Sequence, residues 1–67
     1  MDEVRPYANK RCKVIVQGHL SDPYYGNLVI WDDAAGNVRI DPTTDLPAGT
    51  RTAELLNVRD ITLIEPI

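Results

Sequence analysis

Pro, Gly, Asn and Asp punctuate this chain at intervals of about eight to twelve residues, and no helical periodicity develops between them. That spacing restricts the chain to short strands joined by turns. Each break removes a backbone donor, admits positive φ or favours a local turn before a costly helical nucleus can propagate. Between the breaks, apolar residues alternate or run together. In 11–17, RCKVIVQ, Cys12, Val14 and Val16 share one face with Lys13 and Gln17 opposite, which predicts a strand ended by Gly18. The stretch HLSDPYYG, 19–26, reads as a loop through Ser21-Asp22-Pro23 and Gly26. NLVIWDD, 27–33, is a second strand, apolar on both faces through Leu28, Val29, Ile30 and Trp31. A short hairpin turn follows at 33–37, with Gly36 free to take positive φ, and NVRID, 37–41, turns Val38 and Ile40 inward. Pro42 and Pro47 exclude a central strand from the loop 42–49.

The last two strands are expected at 51–57 and 61–65, joined by Val58-Arg59-Asp60 as one tight turn of 3₁₀ type. Ala53, Glu54, Leu55 and Leu56 are good helix formers, so a short helix is the alternative at 51–57. Residues 1–10 form an irregular lead-in, because Pro6 removes a donor and biases Arg5 away from helix. The expected fold class is therefore all-β, a small, five-stranded, strongly bent barrel forming a single domain over 1–67.

Composition sets the conditions on that barrel. Hydrophobic residues are 43% and charged residues 25%, a globular balance that excludes an acidic disordered tail. No apolar run is long enough to span a bilayer, and MDEVRPYANK lacks the apolar stretch of a signal peptide. Cys12 is the single cysteine, so the chain holds no disulfide framework and no all-cysteine zinc site. The expectation is a cytoplasmic protein without cofactor, metal or membrane contact. A domain of about 60 residues hides only about 60% of its unfolded surface. With neither disulfide nor metal to help, a partner subunit is the natural source of further core, and self-association is expected.

Three stretches carry a resemblance. DPYYGNLVIWDD, 22–33, resembles the first signature of the Sm and Sm-like RNA-binding proteins, with Gly26 where that family carries methionine. LLNVRDITLIEPI, 55–67, is similar to the second signature, with Asp60 in place of the family's glycine after Arg59. YANKRCKVIV, 7–16, looks like the family's approach to its first strand. The SH3-like barrel is the other candidate, in which HLSDPYYG is the long first loop, DDAAG the next and VRD the short helical turn. Both imply the same small barrel.

The Sm-like resemblance implies a homo-oligomeric ring that binds short single-stranded RNA near Tyr24, Tyr25, Asn27 and Arg59. A tyrosine face stacks a base, the Asn27 amide bonds its edge, and Arg59 covers it from the neighbouring loop. The plain alternative is that one tyrosine plugs the barrel end and Asn27 caps a turn. Seven Lys and Arg against ten Asp and Glu give a net charge of −3, which disfavours non-specific phosphate binding. The SH3-like resemblance implies a protein-interaction or assembly module of viral type. Tyr24, Tyr25 and Trp31 beside carboxylates would then form a groove for a proline-rich segment bearing a basic residue. Trp31 itself is expected in the core of a chain that has no Phe. His19 reads as a solvated loop residue and Cys12 as a small core residue, with no nucleophile arranged beside a base, so no enzyme is expected. Leu55, Leu56, Ile61, Leu63 and Ile64 form a C-terminal sheet edge with no Lys to blunt it, which is expected to pair head to tail with another copy.

Overall fold

A computed structural model describes residues 2–18, 22–46 and 49–67. The alternating segments become five strands, β1 (Arg11–Val16), β2 (Tyr24–Asp32), β3 (Asn37–Asp41), β4 (Ala53–Asn57) and β5 (Ile61–Pro66). Two 3₁₀ turns, η1 (Arg5–Tyr7) and η2 (Val58–Asp60), are the only helical elements among the described residues. All strands belong to one antiparallel sheet ordered β4–β3–β2–β1–β5. The fold is all-β, as its punctuation requires.

The sheet bends because β2 serves two neighbours in turn. Its first half pairs with β1, from Tyr24 opposite Val14 to Asn27 opposite Arg11. Its second half pairs with β3, from Asn27 opposite Asp41 to Asp32 opposite Asn37. The change of partner falls at Asn27, and at Gly26 beside it a Cβ would collide with the Asp41 carbonyl oxygen and lie 2.9 Å from Ile40 Cγ2. Only glycine lets the end of β3 cross so close to β2. The Tyr25 N–H donates to the Arg51 carbonyl at 2.9 Å, so the approach to β4 covers the far edge of β2 and rolls the sheet.

Val4, Cys12, Val14, Leu28, Val38 and Ile40 form the buried cluster, with Tyr7, Tyr24, Ile30, Ala53, Leu56, Val58, Ile61 and Ile64 packed around it. Along β1, β2 and β3 these positions keep a period of two, whereas Ala53 and Leu56 on β4 and Ile61 and Ile64 on β5 are three apart, across the register shifts of the β3–β4 and β1–β5 ladders. No polar or charged residue among those described is buried.

Four expectations change. Tyr24 to Gly26 belong to β2 rather than to a loop, because pairing with β1 and Arg51 outweighs the local Asp-Pro and Gly signals. The fourth strand, the strand expected and not the alternative helix, begins at Ala53 instead of Arg51, with Ala53 and Leu56 facing Ile40 and Val38 across the ladder. The lead-in is ordered: Val4 is 1% exposed and η1 follows it, with Pro6 inside the turn. Trp31 is not core. A shift of register between Ile30 and Asp32 turns it outward, and it is 50% exposed. His19 and Pro47 lie outside the described residues.

Candidate binding surface

Alternation along β2 places Tyr24 and Tyr25 on opposite sides of the sheet. Tyr24 packs against the core, and the Arg51 guanidinium lies 4.2 Å over its ring centroid. Arg51 Nη2 also donates to the Tyr24 hydroxyl at 2.8 Å, while Nη1 donates to the Asp22 carbonyl at 3.0 Å and pairs with the Asp22 carboxylate. One face of Tyr24 is thus occupied by its own chain. Beyond it lies a cleft of about 310 Å³ lined by Val16, Gln17, Tyr24, Leu56 and Asp60.

Tyr25 and Asn27 stand on the outer face, two residues apart. Lys13 is directly opposite Tyr25, and Arg11 and Asp41 are opposite Asn27 on either side. Arg11 is already engaged, by the Asp45 carboxylate and by the Ile67 carbonyl at 3.2 Å. Arg39 binds Asp41 through two hydrogen bonds of 2.5 and 3.1 Å. Tyr25 forms one wall of a second cleft, about 210 Å³, whose other described walls are Pro42, Thr43, Leu46, Gly49, Thr50 and Thr52.

Arg59 occupies a third location. Its Nε and its backbone N–H both donate to Asn57 Oδ1 at 3.1 Å, the side-chain cap that starts η2. Asn57 Nδ2 reaches Asn37 Oδ1 at 3.4 Å and the Ala35 carbonyl at 3.1 Å, and the Val58 N–H donates to the Gly36 carbonyl at 2.8 Å. Gly36 takes φ 74° at this junction, and a Cβ there would lie 2.8 Å from Val58 Cγ1. The structure therefore joins Arg59 to the β2–β3 hairpin. Among the described residues no hydrogen bond or ring contact connects it to Tyr24, Tyr25 or Asn27.

The four residues chosen from sequence resolve into an inward tyrosine, an outward Tyr25–Asn27 pair and a hairpin-end arginine. Sequence reading missed Arg51, Asn37, Asn57 and Thr43. Asn57, two residues before Arg59, is signalled locally as the cap of η2, whereas Arg51, Asn37 and Thr43 come near the chosen residues only through tertiary structure.

Other reactive groups are tied down. Cys12 is fully buried, with its sulfur 3.2 Å from the Lys10 carbonyl and 3.8 Å from that of Tyr7. Burial raises the pKa of its thiol, which suits packing rather than nucleophilic attack. The Asp33 carboxyl is held below its ordinary pKa by hydrogen bonds from Arg5, at 2.9 and 3.2 Å. Asp32 accepts the Ala35 N–H at 3.2 Å within the hairpin turn. No group of three His, Cys, Asp or Glu able to hold a metal occurs among the described residues. No helix among them is long and apolar enough to cross a membrane. No family model, curated protein or solved structure matches this chain.

Proposed function

We propose that this chain is a non-enzymatic binding module, an Sm-like small barrel that assembles head to tail and binds short single-stranded RNA. The observation that carries the reading is the sheet order, which leaves β4 and β5 as the two open ends of one sheet. Each edge exposes leucine, neither bears a Lys or Arg, and each carries a single charge, Glu54 on β4 and Glu65 on β5. Leu55 on β4 is 60% exposed and Leu63 on β5 is 39% exposed. Two different free edges on one chain suit a heterologous contact that repeats from copy to copy and closes into a ring. Such a ring would repeat Tyr25, Asn27 and the Arg59 hairpin end, multiplying weak single-base contacts into useful affinity. With net charge −3, those contacts rely on stacking and base edges more than on phosphate.

Trp31 favours a second reading, an SH3-like module for a protein segment. It is exposed and sits beside Asp32 and Asp33, as a docking point for a basic, proline-containing peptide would be. Tyr24 faces the other side of the sheet, so the three aromatics do not share one groove. Fluorescence anisotropy with labelled oligo-U and oligo-A at two salt concentrations separates the two readings. Binding that weakens only modestly with salt is expected. No binding of either oligonucleotide, together with a shift of Trp31 emission on adding an arginine-bearing proline-rich peptide, would replace the first reading with the second.

A further inference from the structure

Beside β5 lies a third cleft, of about 160 Å³. Glu3, Val4 and Tyr7 of the lead-in wall it on one side, and Val58 with residues 61–64 on the other. β5 ends the sheet and pairs with β1 alone, and no β1 residue lines the cleft. The cleft therefore runs along the free edge of β5. The lead-in is a fixed wall of that edge, since Val4 is 1% exposed and Arg5 ties η1 to Asp33 of the hairpin.

Size, lining and charge set what the cleft takes. Small-molecule sites occupy about 300–1,000 Å³. This cleft has room for one side chain. Val4, Tyr7, Val58, Ile61 and Ile64 belong to the core cluster or pack on it, so an aliphatic group seated among them extends that core. The surroundings are acidic. Glu3 is in the wall, Asp60 and Glu65 stand at the two ends of β5, and no Lys or Arg is among the described walls.

A second copy carries the complement on β4. Leu55 there is 60% exposed. Arg59, four residues on, is the one described arginine without a carboxylate partner. Arg5, Arg11, Arg39 and Arg51 pair with Asp33, Asp45, Asp41 and Asp22, whereas the Arg59 side chain donates to Asn57 Oδ1. Its positive charge suits the acidic start of β5.

We infer that the cleft between the lead-in and β5 seats Leu55 of a second copy, which makes the lead-in part of the contact between copies. The inference rests on the head-to-tail reading above and gives that contact a specific seat. Every ladder in the sheet is antiparallel. The same pairing between copies brings the end of β4 to the start of β5, with Arg59 of the second copy beside Asp60. Leu55 then lies abreast of residues 61–64.

The test uses the whole chain, with assembly followed by sedimentation equilibrium. Leu55→Met keeps the volume and should assemble within about threefold of wild type. Leu55→Ala should weaken assembly about tenfold or more, the worth of one buried aliphatic side chain. Leu55→Trp is more extensive than the cleft admits and should weaken it as much, although it enlarges the apolar surface of the edge. Arg59→Glu should lose about three- to tenfold, less at high salt. Leu55 and Arg59 are exposed, so circular dichroism should be unchanged. On dilution of wild type, amide shifts should move together at residues 3–7, 54–56 and 61–64. Shifts that spare residues 3–7, or Leu55→Trp assembling as tightly as wild type, would overturn the seat while leaving the head-to-tail reading standing. Wild type that stays monomeric at high micromolar concentration would overturn both.

Discussion

At the scale of single residues, Gly26 and Trp31 make opposite demands. Gly26 sits one residue before β2 exchanges β1 for β3, and the obstacle to a side chain is the Asp41 backbone, which cannot rotate away. Gly26→Ala should therefore destabilise the protein by about 3 kcal/mol, at the upper end of overpacking costs. Gly18→Ala is the control: φ is 81° but nothing lies within 4 Å of the added Cβ. It should cost only the left-handed penalty of about 1–2 kcal/mol. Urea denaturation of the two variants checks the difference, and equal losses would remove the special role of the bend. Trp31 reverses an expectation. Full burial would make Trp31→Ala cost about 3–5 kcal/mol. At 50% exposure, the loss should be about 1 kcal/mol, and Trp emission should lie toward the solvent-exposed end. A loss above about 3 kcal/mol in the same urea titration would place Trp31 back in the core.

At the scale of elements, the lead-in and the β2–β3 hairpin form one unit through Arg5 and Asp33. The hydrogen bond from Arg5 favours the ionised carboxylate, so the folded pKa of Asp33 lies below its unfolded value of about 3.9. A depressed carboxylate contributes stability above the unfolded value and loses it as pH falls through the folded one. Nothing should change at neutral pH, and η1 should loosen only at strongly acidic pH. The amide shifts of Tyr7 and Ala8, which close η1 onto Val4 and Arg5, should titrate with a midpoint below about 3.9. Asp33→Asn should flatten that titration, and a midpoint at or above the unfolded value would refute the clasp. Both groups are exposed, so the effect is small and weakened by salt.

Elements also differ in how readable they were. β3 falls at 37–41 and η2 at 58–60, where the local signals placed them, because Gly36, Asn57 and the alternation of Val38 and Ile40 act within a few residues. The start of β2 was hidden. Pro23, two tyrosines and Gly26 look like a turn until β1 and Arg51 supply partners for their backbone.

At the scale of the whole molecule, the open edges decide the behaviour. Leu55→Lys and Leu63→Lys place a charge on β4 and β5 at side chains already exposed, so the fold should persist. Light scattering at high micromolar concentration should report an oligomer for wild type and monomer for either variant, with unchanged circular dichroism. A monomeric wild type would end the ring proposal and the repeated RNA sites that depend on it.

The sequence by itself determined the all-β class, the number of strands, the hairpin and the closing 3₁₀ turn. These follow from φ restrictions and from a side-chain period of two, both of which act between near neighbours. It also determined the core residues of β1 and β3, since Cys12, Val14, Val38 and Ile40 hold matching parity along their strands, whereas β2 is apolar on both faces and left its inward face open. Tertiary structure alone decided that Tyr24 faces inward under Arg51, that Trp31 leaves the core at a bulge, and that Asn57 at the start of η2 meets Asn37 and the Ala35 carbonyl of the hairpin. Each of these depends on register between strands distant in sequence. A shift of one residue in that register reverses the face a side chain occupies, and no local pattern records it.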